Sequence, residues 1–466
     1  MKSNYLILIV LLFLTGNVFA NNILVSNATL GGQNKTNHSS KINFDVSWEN
    51  SWRTSTNESN YDGAWVFVKF RKNGTTDWRH CTIDGANDNP ATNSSMKVPP
   101  DEKGIFIYRS TDGIGNVNYT GNQIQWDYGT DGIADNETVE IQVFGLEMVY
   151  IPAGSFYLGS GGSETSAFRD GQSNNPFLVT NATINFGAAS GNLNTLTNDV
   201  TPGAIPAAFP TGAKAFWIMK YECTQQQYVD FLNHLDLAAA TVNKTDVITG
   251  THPNLVAPQP ERGIGQLGFN STAALADWSC LRPYSEMEFE KVCRGANTPA
   301  VPNEYPWGNT SFVQLVSVSN AGAVNETVSN PANANVNIYS YGLPARVGSF
   351  ARNTNSTRTS SGAAFYGVMN MADNLREITI SATQEGVFLD AAVHGDGYLN
   401  TNGDGKSNIP EWTNNLAYGL RGAGFASSGT SPWIYARTSD RIDAKYFIRG
   451  DYIDSNIGAR LARTDQ

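Results

Sequence analysis

Side chains that carry oxygen recur at calcium-ligand spacing between residues 400 and 411. The segment reads Asn-Thr-Asn-Gly-Asp-Gly-Lys-Ser-Asn-Ile-Pro-Glu, with such side chains at positions one, three, five, nine and twelve and a glycine at position six. This is the spacing of an EF-hand calcium loop, whose carboxylates and amides supply hard oxygen ligands. The best candidate ligands are Asn402, Asp404 and Glu411, and Asp396 just upstream could supply a third charge.

Three features of the same segment favour an ordinary polar turn. Position one is Asn400 rather than aspartate, position eight is Ser407 rather than an apolar residue, and Pro410 prevents a normal exiting helix. Glycine and asparagine are also common turn residues where no metal is bound. A calcium loop and a polar turn are therefore both open as interpretations.

Other catalytic patterns lack support in the sequence. Ser427 lies in no Gly-x-Ser-x-Gly turn, and no histidine follows it. Glu286, Glu288 and Glu290 lie on a predicted helix that begins with a capping box, which accounts for them without catalysis. No two histidines have the spacing of metal ligands on a helix or a strand. The histidines are His38, His80, His234, His252 and His394.

Eight short motifs follow one another between residues 148 and 463. The segments are Met148–Gly159, Phe216–Thr224 with Gln227–Asn233, Ala276–Pro283 with Ser285–Glu290, Arg294–Gly295, Tyr305–Asn309, Tyr366–Glu377, Leu420–Gly422 and Gly458–Arg463. In this order they resemble the formylglycine-generating-enzyme, or sulfatase-modifying-factor, domain. The resemblance covers roughly two thirds of the chain. It implies a fold related to C-type lectins, with little regular structure, long ordered loops and a binding face built from those loops.

The resemblance also implies where copper would bind in a catalytic member. In such members the arginine and glycine matched by Leu420–Gly422 lead into a serine and two copper-binding cysteines that activate oxygen. The corresponding positions here are Gly424, Ser427 and Pro432. A thiolate is the soft ligand that selects Cu(I), and neither a hydroxyl nor a proline ring replaces it. We therefore expect no copper and a lost oxidase activity on a retained scaffold.

A second calcium site is implied by the resemblance alone. Family members bind structural calcium through backbone carbonyls and the glutamate of a Gly-Asn-x-Trp-Glu motif. The matching residues here keep Asn374 and Glu377, but Asp373 and Arg376 replace the glycine and the tryptophan. Loss of that glycine could disturb the carbonyl geometry. Glu377 is thus either a calcium ligand or the partner of Arg376 or another arginine.

The resemblance places the segment after Leu420–Gly422 beside the family's substrate cleft. Arg421, Phe425, Trp433 and Tyr435 are accordingly the predicted binding contacts. Aromatic and arginine side chains offer large contact area and directional hydrogen bonds, and they dominate binding surfaces. The alternative is that Trp433 and Tyr435 are core residues of a late strand.

The first 145 residues show a different pattern from the rest of the chain. Residues 1–20 combine one lysine, an apolar run and a final alanine, as in a secretory signal peptide. Residues 21–145 alternate apolar and polar residues in short runs bounded by turn residues, which predicts an antiparallel β-sandwich. Residues 146–466 form the second domain, with no linker before it. The fold class is therefore α+β, a β-sandwich followed by a loop-rich, lectin-related domain.

Elements of the second domain can be placed from local signals. Thr224 and Ser285 are predicted to cap two helices, the second with Glu288 in a capping box. The Gly-, Ser- and Asn-rich stretch 160–211 is predicted to be an irregular insertion, either mobile or partner-binding. The four cysteines are Cys81, Cys223, Cys280 and Cys293. Their spacing fits no metal site, and buried thiols or one bridge among the last three are equally open.

Charge and hydropathy limit the partners. The net charge of −11 and the pI near 5.0 argue against nucleic acid, and no stretch after the signal peptide is apolar for long enough to cross a bilayer. We expect a secreted or cell-surface, non-catalytic protein that binds an extracellular protein or a glycan. The alternatives are an active oxidase with divergent ligands and a self-assembling subunit of an extracellular layer or filament.

Overall fold

Strands dominate the protein, and its helices are few and short. The computed structural model describes residues 23–200, 203–352, 356–382, 387–412, 417–444 and 451–466, so the predicted signal peptide lies outside the described residues. The described residues are mostly strand with few helices, which is consistent with the predicted α+β class. Among the described residues, no helix has the length and apolar character needed to cross a membrane.

The longest strands lie in the N-terminal part. The strands of this part are β1 (Leu24–Asn34), β2 (Ser39–Arg53), β3 (Tyr61–Lys72), β4 (Arg79–His80), β5 (Ile83–Asn89), β6 (Ser94–Lys97), β7 (Ile105–Arg109), β8 (Gly113–Asp127) and β9 (Val139–Ile151). Later strands are short. They are β10 (Phe156–Leu158), β11 (Phe168–Asp170), β12 (Phe177–Val179), β13 (Asn185–Phe186), β14 (Leu193–Thr195), β15 (Gly203–Ala204), β16 (Phe216–Met219), β17 (Thr249–Thr251), β18 (Asn254–Val256), β19 (Ser317–Ser319), β20 (Thr327–Asn330), β21 (Arg376–Ile380), β22 (Tyr418–Arg421), β23 (Ile457–Gly458) and β24 (Ala462–Thr464).

The helices of the described residues all follow residue 220. They are α1 (Gln225–Asn233), α2 (Leu237–Asn243), α3 (Phe269–Trp278), α4 (Glu286–Arg294) and α5 (Arg358–Ser361), together with a 3-10 helix at Pro432–Ala436. Thr224 and Ser285 cap α1 and α4, and each is part of a capping box. The two predicted helices and their caps are therefore confirmed.

One large antiparallel sheet joins the two parts of the chain. Its order is β24-β16-β9-β3-β2-β8-β5, with β1 on β2, β4 and β7 on β3, and β6 on β7. Strand β9 pairs with β3 from Val139 to Tyr150 and also with β16 from Met148 to Ile151. The predicted boundary between residues 145 and 146 lies inside this strand. The N-terminal part thus reaches the rest of the protein through backbone hydrogen bonds rather than through a linker.

The sheet curls around an apolar core. Strands β2 and β3 pair only at Arg53 and Tyr61, and beyond this point their buried side chains belong to one shared cluster. Trp48 and Trp126 lie in that cluster. Trp65 and Phe67, on the other face of β3, belong to the core of the second part. All four aromatic side chains are buried.

The insertion at 160–211 is folded. Strands β11, β13, β14 and β15 form a small sheet, and β12 pairs with β10. Several of its apolar side chains, among them Phe168, Phe186 and Leu193, are buried in the main core of the second part. The prediction of an irregular stretch without core residues is wrong, because single apolar residues separated by Gly, Ser and Asn turns leave no periodic pattern to read.

Candidate functional site

Arg421 lies at the end of β22 and is buried. One of its terminal nitrogens donates to Glu286 Oε2 at 3.1 Å, and the other donates to Glu290 Oε1 at 3.0 Å and to the carbonyl of Thr438 at 2.6 Å. Its guanidinium also lies 4.7 Å from the centre of the Phe289 ring. The charged group of Arg421 is thus buried inside the protein, whereas the sequence predicted it to be a binding contact.

The Arg421 contacts belong to a larger buried ion network. Arg441 donates to Glu286 at 2.7 Å, and Arg294 donates to Glu290 at 3.2 Å and to Glu304 at 2.5 Å. Burial raises the pKa of Glu286, but the arginines outweigh that effect and hold this pKa below its usual value. Three arginines therefore balance three glutamates. Sequence reasoning assigned the helix glutamates to capping alone and missed their arginine partners. Arg421 and Arg441 are distant along the chain, whereas Arg294 lies four residues after Glu290 on the same helix.

The turn after Arg421 occupies the position of the family's copper ligands. The backbone N–H of Gly424 donates to Ser427 Oγ at 2.8 Å, and the N–H of Ser427 donates to the carbonyl of Gly424 at 2.9 Å. Phe425 is buried, and its N–H donates to the carbonyl of Asn374 at 2.8 Å. Pro432 opens the 3-10 helix. Since the Ser427 hydroxyl closes the turn and no thiol stands at either position, these residues do not fit copper.

Trp433 and Tyr435 lie in the 3-10 helix rather than in a strand. Both side chains are partly buried against a small core cluster that includes Tyr305 and Trp307. The ring of Trp433 is 6.2 Å from that of Phe312 and 6.5 Å from that of Tyr339, measured between ring centres. These three rings form a row at the surface, which we call the aromatic row.

Glu377 is fully buried in β21 and has partners within the protein. Arg460 donates to its Oε1 at 2.8 Å, and the hydroxyl of Tyr284 donates to its Oε2. Arg376 pairs with Asp443 instead. Of the two roles that the sequence left open for Glu377, the contacts show an arginine pair, with Arg460 as the partner. A carboxylate already neutralised in this way does not fit a calcium ion.

The segment 400–411 forms a tight loop on the surface. The N–H of Asp404 donates to Asn402 Oδ1 at 3.0 Å, and the N–H of Lys406 donates to Asp404 Oδ1 at 3.0 Å. Glu411 is exposed. Across the described residues, no three His, Cys, Asp or Glu side chains converge as a metal-binding group. The loop therefore brings Asn402 and Asp404 together, while Glu411 stands apart in the solvent.

Buried Asp277 anchors the same loop. Its carboxylate accepts hydrogen bonds from Ser407 Oγ at 2.6 Å and from the backbone N–H groups of Asn408 and Asp396, both at 3.0 Å. Burial raises the pKa of Asp277 to about 7 against these hydrogen bonds. The anchor was not found from the sequence, because residue 277 belongs to a helix more than a hundred residues upstream of the loop.

The four cysteines are buried free thiols. Burial raises the pKa of Cys280 to about 12, so its thiol stays protonated near neutral pH. Its sulfur lies 3.5 Å from His80 Nε2, and burial also lowers the pKa of His80 well below its usual value. A neutral thiol beside a neutral imidazole is a packing contact. The structure thus agrees with the interpretation of the cysteines as buried side chains rather than as a bridge.

Comparison with known families supports the resemblance read from the motifs. The family described as the sulfatase-modifying factor enzyme 1-like domain matches residues 136–464. The chain belongs to this family. The match begins just before β9, so this shared strand lies wholly within the sulfatase-modifying factor region. No curated relative matches the chain.

Proposed function

We propose that this protein is a non-catalytic binding protein built on a sulfatase-modifying factor scaffold. The observation that carries the proposal is the turn after Arg421, where Ser427 and Pro432 replace the two copper-binding cysteines and the Ser427 hydroxyl accepts a backbone hydrogen bond. A scaffold without its oxygen-activating ligand retains its loop face as a surface for binding. The aromatic row around Trp433 is the part of that face best suited to hold a partner.

The proposal includes an extracellular location and a calcium loop. The signal peptide read from residues 1–20 supports secretion or display at the cell surface. In the N-terminal part, strands β2 and β3 contribute side chains to one shared core. This shared core supports a β-sandwich beside a lectin-related second domain. The Asn402 side chain donates to Asp404 Oδ2 at 3.3 Å, and these two neighbouring side chains, at the ligand spacing of a calcium loop, support calcium binding at 400–411.

The experiment that tests the loss of catalysis is an oxidation assay on the purified mature chain. A cysteine-containing sulfatase peptide is incubated with the protein, copper and oxygen, and aldehyde formation is followed by mass spectrometry. We expect no aldehyde above a reaction without protein, because no thiolate is available to bind Cu(I). A catalytically competent family member provides the positive control, and the same peptide with serine in place of cysteine provides the blank.

Aldehyde formed by this chain would overturn the proposal and support the alternative of an oxidase with divergent ligands. Size exclusion and negative-stain imaging of the same preparation test the other alternative, a subunit of an extracellular layer. Regular sheets or filaments would favour assembly over ligand binding. A single dispersed species is expected, because a binding protein of this kind needs its loop face free.

A further inference from the structure

Two buried aromatic rings pack against the aromatic row and hold it in place. Tyr305 and Trp307 are buried and stacked with ring centres 4.9 Å apart, and Tyr305 meets Phe312 edge to face at 5.4 Å. Trp433 is a neighbour of both Phe312 and Tyr339, with its plane tilted by 35° and 42° to theirs. Tyr339 is 43% exposed. The row is therefore a preorganised apolar platform whose outer ring faces solvent.

The three chain segments that carry this platform contain no ionisable acid or base. Residues 305–325, 327–345 and 422–436 are 21, 19 and 15 residues long and contain no Asp, Glu, Lys, Arg or His, whereas 16% of the whole chain is charged. Their polarity comes from amides and hydroxyls. Arg437, which follows the third segment, bonds to the hydroxyl of Tyr305. Arg352 and Arg358 also reach these segments and donate to the carbonyls of Ala334 and Pro306. The segments themselves are thus aromatic and uncharged, and the arginines beside them are bonded to groups of the protein.

We propose that the aromatic row binds a neutral glycan, with Trp433 and Tyr339 stacking on sugar rings; this inference rests on the proposed binding function. A pyranose presents one face of C–H groups, which carry a slight positive charge, and an aromatic ring presents a negative face to them. Hydroxyls at the rim of the sugar match neutral amide and hydroxyl partners. The row therefore supplies stacking, and the surrounding Asn, Ser and Thr residues supply hydrogen bonds.

The lack of charge in the three segments distinguishes this ligand from two others. An acidic polysaccharide would need free cations to offset its carboxylates or sulfates. The three segments contain none, and the arginines beside them donate to protein carbonyls and to the hydroxyl of Tyr305. A proline-rich peptide also docks on aromatic rings, but it presents one narrow ridge rather than a flat face.

The test uses the full mature chain in native gels that contain one polysaccharide each. The neutral probes are hydroxyethylcellulose, laminarin and galactomannan, and the acidic probes are polygalacturonate and alginate. We expect at least one neutral polysaccharide to retard the protein, and a tenfold increase in salt to leave the affinity unchanged, since neither partner is charged at the contact. Trp433→Ala and Tyr339→Ala should each weaken binding about tenfold or more.

Tyr452→Ala is the matched control, because Tyr452 is 47% exposed and lies outside the three segments. It should bind as the unmodified chain does. Near-ultraviolet circular dichroism reports whether each variant is folded, and exposed Tyr339 keeps the test decisive if Trp433→Ala loses its fold. Retardation by acidic probes alone, equal binding by Tyr339→Ala, or no retardation by any neutral probe overturns the glycan assignment.

Two outcomes separate this inference from the proposed function. Binding of a proline-rich peptide that is lost in Tyr339→Ala, without binding to any neutral polysaccharide, overturns the glycan assignment and leaves a non-catalytic binding protein. Aldehyde formation on the cysteine peptide overturns the loss of catalysis whatever the gels show. The glycan assignment and the loss of catalysis can therefore be overturned independently of each other.

Discussion

The ammonium group of Lys220 lies 3.0 Å from the carboxylate of Asp62, and the two residues are 158 positions apart in the chain. Glu147 lies at the same distance from the ammonium, and all three side chains are almost fully buried. Strand β3 supplies Asp62, strand β9 supplies Glu147, and Lys220 follows β16. One buried cation therefore holds together three neighbouring strands of the shared sheet.

Replacing this cation should destabilise the fold strongly. Lys220→Met keeps the length of the side chain and leaves two buried carboxylates without a counter-charge, which costs about 3–5 kcal/mol of unfolding free energy. Urea unfolding followed by tryptophan fluorescence measures the change. The control is Lys72→Met, since Lys72 pairs with Glu137 at the surface and should contribute at most about 1 kcal/mol. Equal losses in the two variants would contradict the central role of Lys220.

Asp373 predicts a distinctive pH dependence. Burial raises the pKa of this carboxyl to about 7, although the N–H of Asn337 and the amide of Asn370 donate to it. Between about pH 4 and pH 7 the folded state keeps a proton that the unfolded state releases. The contribution of Asp373 to stability is therefore present at low pH and is lost as pH rises through about 7.

Asp373→Asn removes this contribution, since the amide oxygen still accepts from Asn337 and does not ionise. The unfolding free energy of the unmodified chain minus that of the variant should fall by a few kcal/mol between about pH 4 and pH 8. Asp77→Asn, at an exposed position, is the control and should show no such trend. A constant difference across this range would mean that Asp373 is ionised throughout.

Calcium should stabilise the chain through the loop at 400–411. An ion at a hundredfold excess over its dissociation constant adds about 2.7 kcal/mol to the unfolding free energy. We expect the melting temperature to be higher in millimolar calcium than in chelator, and Asp404→Asn to remove the difference. Asp77→Asn again serves as the control. Identical melting curves in calcium and chelator would show that the loop is an ordinary polar turn.

The four thiols should be unreactive in the folded protein. Because Cys81, Cys223, Cys280 and Cys293 are buried and free, a thiol reagent should label none of them under native conditions and all four in denaturant. Reductant should leave the melting temperature unchanged. Recovery of only two reactive thiols from a denatured, non-reduced sample would reveal a disulfide bridge.

Local signals in the sequence were sufficient for some elements and not for others. The caps at Thr224 and Ser285 could be predicted because a capping box involves residues only three apart. The motifs located the family and the segment around Trp433. The pairing of Glu377 with Arg460 could not be predicted, since 83 residues separate the two and nothing in their local patterns records the contact.

The same limit applies to the candidate site. Arg421 carries a charge typical of a binding contact, and only the structure shows that Glu286 and Glu290 enclose it. Trp433 was identified from its type and its place after the family motif. Its neighbours Phe312 and Tyr339 were missed because they come from loops about a hundred residues away. The absence of charged residues across all three loops was a sequence signal that could have joined them.

The pairing of β16 with β24 determines when one edge of the large sheet can be completed during synthesis. Phe216 faces Thr464 in this pair, so the sheet whose first strand begins at Leu24 gains its edge strand from Ala462–Thr464. A contact that spans almost 250 residues closes late. A ribosome must therefore release the chain through residue 464 before this edge of the sheet is covered. During translation, the exposed edge of β16 is where a chaperone or a neighbouring nascent chain would find an open strand.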